Sequence, residues 1–188
     1  MTEPTTLSND PAALKKKPRR RGASQADSTA LLLTPELVIM DEPTFALDVV
    51  AQRSLMVQIK ELQEQLSFAV IFVTHDMSLV SHFSDRLMVM YAGQVAELGA
   101  TREVFDNSRH PYTIGLTEAF PSIRGPKVPL TGIPGSPPNL ASPTPGCRFA
   151  PRCPKVFARC LEEAPELYHV NDTLVRCFLH ADGGADRD

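Results

Sequence analysis

Long apolar runs are missing from this 188-residue sequence. The longest continuous ones, such as Phe68–Val73, hold six residues, against the ~18 that a membrane helix requires. Nothing of that kind spans a bilayer. The opening "MTEPTTLSND" has neither the positive start nor the apolar centre of a secretory signal. The chain is therefore expected in the cytoplasm, with its four cysteines as reduced thiols or metal ligands. Glycine is scarce as well: the first is Gly22 and the next is Gly93. That gap excludes a G-x-x-x-x-G-K-[ST] loop, whose backbone N–H groups and lysine cradle phosphates. The cysteines contain no C-x2-C pair, so the usual zinc ribbon pattern is excluded too.

What is present suits a globular protein. Hydrophobic residues make up 43% of the chain and the net charge is −3, enough apolar material for one ordinary domain with a small appendage. Residues 1–29 hold six Lys or Arg against three acids, with "KKKPRRR" at Lys15–Arg21 and no apolar periodicity. They read as a disordered basic head, either a solvated tail or a contact for nucleic-acid or lipid phosphates. The acidic remainder and the lack of an aromatic stacking platform beside the basic run argue against a nucleic-acid partner.

From Ala30 the texture changes. "ELVIM" (Glu36–Met40) and "FAVIFV" (Phe68–Val73) are continuous apolar runs, the pattern of parallel strands covered on both faces. Leu55, Ile59, Leu62 and Leu66 recur at steps of four, three and four, which predicts an amphipathic helix over Val49–Leu66 with Asp48 near its N-cap. A short helix over Met77–Phe83 leads to a third run, "RLMVMY" (Arg86–Tyr91). Strand, helix, strand, helix, strand predicts an α/β fold with one parallel sheet. Beyond Arg102 the strand-like runs stop. Helices are expected over Thr101–Asp106 and after Pro111, followed by an extended connector over 122–154 that holds nine of the 17 prolines.

In open α/β sheets, ligands collect at the carboxyl ends of the strands. Asp41 and Glu42 end the first strand and His75 follows the second, so polar groups at three strand ends would face one crevice. An Asp there can hold Mg²⁺, a neighbouring Glu can orient and deprotonate an attacking water, and a His can bond a phosphoryl oxygen. Taken singly, each also suits a duller role, as a helix N-cap or as a loop or satisfied buried histidine.

Together, "LVIMDEPT", "ALD" and "THD" resemble the second half of the ATPase subunit of ABC transporters. The resemblance implies the C-terminal half of a RecA-like P-loop ATPase core. It makes Asp41 the Walker B magnesium ligand, Glu42 the catalytic base, Asp48 part of the D-loop and His75 the switch histidine. "YAGQVAELG" (Tyr91–Gly99) looks like the strand pair that follows the switch. Phe45 departs from the family pattern, in which a small or hydroxylated residue precedes "ALD". The stretches "RHPYTIGLTEAFPSI" and "IPGSPPNLASPTPGCRFAPRCP" resemble the C-terminal extension of the oligopeptide and dipeptide importers. The division implied is a head (1–29), an ATPase core (30–108) and a Pro-rich, Cys-containing extension (109–188).

The cysteine spacing, C-x5-C-x6-C-x16-C, suits either zinc or an iron–sulfur cluster, or four free thiols. The resemblance implies a [4Fe-4S] cluster on Cys147, Cys153, Cys160 and Cys177; on the thiolate chemistry alone Zn²⁺ is the alternative, and His180 can substitute for a ligand. The resemblance also implies ATP and Mg²⁺ as cofactors, a second ATPase subunit and membrane permease subunits as partners, and a peripheral place on the inner face of the plasma membrane.

The LSGGQ-type element is missing along with the phosphate cradle. Upstream of Pro35 stands "PRRRGASQ", without paired glycines. Three lost bonds to charged phosphate oxygens, at about 1.5–3 kcal/mol each, weaken binding by at least ~10³-fold. The expectation is a truncated subunit, inactive alone, arising as a gene fragment, a mis-called start or one half of a split protein. Its sheet should expose apolar faces and unpaired edges. The other reading is a non-enzymatic iron–sulfur or zinc module that docks on an importer.

Overall fold

In the computed structural model, which describes residues 35–119 and 132–181, the two acids stand at the end of a short parallel pair. Strand β1 (Leu37–Asp41) runs beside β2 (Ala69–Val73), in register from Leu37 opposite Ala69 to Asp41 opposite Val73. Helix α1 (Val49–Leu66) connects them and spans the residues its periodicity predicts. Asp48 caps it, Oδ1 accepting from the Ala51 N–H at 2.9 Å. At the far end Ser67 enters the left-handed region at φ 56° and its N–H donates to the Gln63 carbonyl, closing the last turn. Helix α2 (Met77–Phe83) follows β2, capped by Asp76. The basic head expected over 1–29 lies outside the described residues.

One face of the pair is covered and the other is bare. Met56 and Ile59 of α1 and Leu79 of α2 pack with Met40, Val70 and Phe72. The alternate residues Leu37, Ile39, Ile71 and Val73 are 45–65% exposed, because no described element lies against them. The exposed apolar face is as the sequence predicts.

The third strand departs from expectation. Strand β3 (Arg86–Tyr91) does not extend the parallel pair; it forms an antiparallel hairpin with β4 (Gln94–Ala100), in a four-stranded sheet ordered β3-β4-β6-β5. The turn between them is two residues, Ala92 at φ 49° and Gly93 at φ 78°, the type I′ geometry that suits the twist of a hairpin. Leu87, Val89 and Tyr91 are buried while Met88 and Met90 are about half exposed. The apolar run thus hides a one-sided strand, because methionine occupies the outward positions.

Two more strands, β5 (Tyr168–Val170) and β6 (Thr173–Val175), lie where the sequence shows no strand-like run. Each has three residues, too few for periodicity to register. β6 pairs with β4, Glu97 opposite Val175. Helices α3 (Thr101–Asp106) and α4 (Pro111–Glu118) appear as expected, and α5 (Ala158–Glu162) is a short addition. Val80, Val89, Val104 and Ala96 form the main core with Phe149, whose ring meets Tyr91 and Tyr112 at centroid separations of 5.1 and 5.5 Å. Among the described residues no helix is long and apolar enough to cross a membrane.

Glu97 sits wholly buried in β4. Its two carboxylate oxygens accept from the Arg109 and His110 N–H groups at 2.9 and 3.0 Å, which anchors the entry to α4. Glu97→Ala should lower unfolding free energy by about 3 kcal/mol or more, from two charged-acceptor bonds at ~1.5–3 kcal/mol each. Urea unfolding of the two chains reads this directly, with Glu97→Gln expected in between.

Candidate functional site

The strand ends bring two of the four predicted nucleotide-site residues into contact. Asp41 closes β1, and Glu42 turns away from it at φ 45°, a left-handed conformation that costs a residue with a Cβ of order 1–3 kcal/mol. The Glu42 N–H donates to the Val73 carbonyl at 2.9 Å, and its own carbonyl accepts from Phe45 at 3.0 Å. Backbone bonding therefore holds the strained turn against the end of β2. That aims the Glu42 side chain across at the next strand: Oε1 lies 2.6 Å from His75 Nδ1, and Oε2 lies 3.5 Å from Thr74 Oγ1.

The pair is open to solvent, with the His75 side chain 80% and Glu42 34% exposed. The hydrogen bond to Glu42, and then its charge, hold the His75 ring above its ordinary 6.5. Asp76 behaves oppositely. Burial pushes it up, but bonds from the Ser78 hydroxyl and the Leu79 and Ser78 N–H groups outweigh that and leave its carboxyl below the usual value. Asp41 is exposed at the strand tip. Asp48 is engaged at the α1 N-cap, one loop further on. The third strand end does not join this crevice, because β3 belongs to the other sheet. Chemically, the tip offers an exposed carboxylate for a cation and a second carboxylate beside an imidazole.

The second site is built by the extension. Cys147, Cys153, Cys160 and Cys177 are all free and line one cavity with His110, Phe149 and Phe157. The Cys147 N–H donates to the Cys160 carbonyl at 2.8 Å, which sets those two segments side by side. Only glycine fits before Cys147: a Cβ on Gly146 would stand 2.4 Å from the Cys160 carbonyl oxygen. Burial pushes the Cys147 and Cys153 thiols up, and Cys177 up to about 11. Backbone N–H groups two residues on oppose this at each: Phe149 for Cys147, Lys155 for Cys153 and Leu179 for Cys177. Such N–H···S bonds favour thiolate over thiol. Among the described residues no group of three or more His, Cys, Asp or Glu side chains is arranged to hold a single metal ion. His180 is not in the cavity wall; its Nε2 lies 3.3 Å from the Arg109 carbonyl.

His110 joins the cavity unforeseen. It is 4% exposed, its Nδ1 accepts from the Tyr112 N–H at 3.0 Å, and it bonds the Arg176 backbone. Burial drops its pKa to about 4, so it is neutral at neutral pH. The stretch "RHPY" marks its position, but nothing in four residues shows that the ring turns inward.

Residues 96–160 match the family described as oligopeptide/dipeptide transporter, C-terminal region. The oligopeptide transport ATP-binding protein AppD of Bacillus subtilis is 42% identical over 159 residues, 84% of this chain and 48% of that protein. OppD of Haemophilus influenzae, also an oligopeptide transport ATP-binding protein, is 43% identical over 154 residues, 81% and 47%. The dipeptide transport ATP-binding protein DppD of Caldanaerobacter subterraneus is 39% identical over 155 residues, 82% and 48%. The chain spans about half the length of the curated relatives it matches. A solved structure, cbiO1 from Clostridium perfringens, described as part of the ABC transporter complex cbiONQ, aligns at TM-score 0.42 and 34% identity over 44% of this chain and 33% of its own.

Because the His75 proton is bound more tightly in the folded chain, the pair adds stability below pH 6.5, and the contribution fades as pH rises through the elevated folded value. An NMR titration of the His75 ring should show a midpoint above 6.5 that falls back in Glu42→Gln.

Proposed function

We propose that this chain, homologous over about four fifths of its length to the C-terminal portion of oligopeptide and dipeptide transport ATP-binding proteins, works in ATP hydrolysis for a peptide ABC importer. The observation that carries this reading is the 2.6 Å contact between Glu42 and His75 at adjoining strand ends, with Asp41 one residue before. Asp41 would hold Mg²⁺, directly or through water. Magnesium takes one or two carboxylates together with substrate phosphates, so an exposed carboxylate at a strand tip fits it. The ion supplies charge neutralisation at the phosphates. Glu42 orients and deprotonates the attacking water, His75 bonds a phosphoryl oxygen, and Asp48 fixes the loop between them by capping α1. The partners are permease subunits and a second ATPase subunit, at the inner face of the membrane.

The phosphate cradle must come from outside these 188 residues, since the sequence holds no G-x-x-x-x-G-K-[ST] loop. Fused behind the N-terminal half of an oligopeptide transport ATP-binding protein, the chain should support ATP hydrolysis, and Glu42→Gln should lower the rate ~10²–10⁴-fold. Alone it should release phosphate at background. Release by the isolated chain that Glu42→Gln abolishes, or a fusion indifferent to that substitution, overturns the reading.

The thiol cavity favours a second role beside the first, as a metal-bearing module. Four thiols on one cavity and backbone N–H groups aimed at three of them support thiolate ligation of an iron–sulfur cluster, with zinc as the alternative. Anaerobically purified protein should carry iron and acid-labile sulfide with visible absorbance, lost in Cys153→Ser. Colourless protein that stays metal-free after reconstitution rejects the module.

A further inference from the structure

Arg176 is a charge without a visible counter-charge. It stands between Val175 of β6 and Cys177, with its side chain partly buried. Nε donates to the Val95 carbonyl at 2.9 Å and a terminal nitrogen donates to the Pro165 carbonyl at 3.0 Å. The Arg176 N–H donates to the Ala96 carbonyl at 2.8 Å, and the Arg176 backbone bonds the His110 ring. Four tethers thus pin the residue. Among the described residues no carboxylate forms an ion pair with it.

A guanidinium stays charged in any protein environment. Withdrawing it part-way from water costs free energy that neutral carbonyls offset only in part. An anion should therefore face it. Arg176 and Cys147 line the same small cavity, and Pro165, which fixes the guanidinium, also lines the four-thiol cavity behind it. Four cysteines that ligate metal become thiolates, and the loaded centre is then an anion against this cation. Lys155 stands at the mouth of the same cavity but is exposed, so water and salt screen its charge in a way that a pinned side chain avoids.

We propose that Arg176 is a positioning residue of the thiol site, whose fixed charge stabilises an anionic four-thiolate centre and sets its reduction potential. The inference rests on the reading of that site given above. The full chain, Arg176→Gln and Arg176→Lys are titrated anaerobically with Cd²⁺ alone, followed by the thiolate-to-metal ultraviolet band, and reconstituted separately with ferrous iron and sulfide. Arg176→Gln should bind Cd²⁺ ~10–100-fold more weakly, the range of outer-sphere changes at metal sites. Any cluster it forms should have a lower midpoint potential, since a lost positive charge disfavours the added electron. Arg176→Lys should recover both.

Equal Cd²⁺ affinity and equal potential in a folded Arg176→Gln chain overturn the proposal. Should that chain not fold, Arg176→Lys decides: wild-type affinity supports a role for the charge, while affinity as low as that of Cys153→Ser overturns it. A wild-type chain that takes Cd²⁺ but no iron and sulfide sinks the cluster reading alone and leaves Arg176 to be judged on Cd²⁺. A wild-type chain that takes neither sinks both.

Discussion

A buried carboxylate organises the larger part of this molecule. Glu97 lies in the middle of β4, has no exposed surface, and satisfies both oxygens with the N–H groups of Arg109 and His110. Those bonds set where the chain enters α4, and hence where the His110 ring goes. The ring in turn packs on Phe149 with centroids 5.7 Å apart and bonds the Arg176 backbone. Arg176 follows β6, which pairs with the very strand that holds Glu97. The contacts close a loop: sheet to turn, turn to ring, ring to extension, extension back to sheet. The cysteines hang on this loop, Cys177 directly and Cys147 through the segment that carries Phe149.

The strand-end site has a different physical basis. The Glu42–His75 pair is open to solvent, so its order comes from the backbone. The left-handed turn at Glu42 is kept by a hydrogen bond to Val73 on one side and one from Phe45 on the other. Local backbone strain is sustained only where surrounding bonds over-determine it, and here two strands and a capped helix do so. The exposed histidine gains order by bonding a carboxylate that the strained turn has already aimed. Asp76 adds to this by capping α2 immediately after the histidine, which limits how far His75 can swing.

The two sheets meet different fates. One face of the antiparallel sheet is packed against an aromatic cluster and α3, with Met88 and Met90 outward on the other, whereas the parallel pair leaves Leu37, Ile39, Ile71 and Val73 open. A two-stranded sheet has little independent stability in water. The chain spans about half the length of the curated relatives it matches. Arg148, Arg152 and Arg176 reach the backbone carbonyls of Ala92, Ile133 and Val95, and the first and third of these bonds tie the C-terminal residues to the β3–β4 hairpin.

Much of the local structure was legible in the residues alone. The steps between Leu55, Ile59, Leu62 and Leu66 locate α1, Asp48 marks its start, and the acids after "LVIM" stand at a strand end, because these signals repeat within one or two turns of chain. Partners distant in sequence left no such signal. Whether "RLMVMY" lies in a two-sided or one-sided strand depends on which strand it pairs with, and its outward methionines conceal the difference. Three-residue strands carry no period. That four cysteines scattered over thirty residues line one cavity, that Glu97 is buried rather than solvated, and that Arg176 is pinned without an acid beside it, only the tertiary structure decided, since burial and counter-charge belong to neighbours brought in from afar.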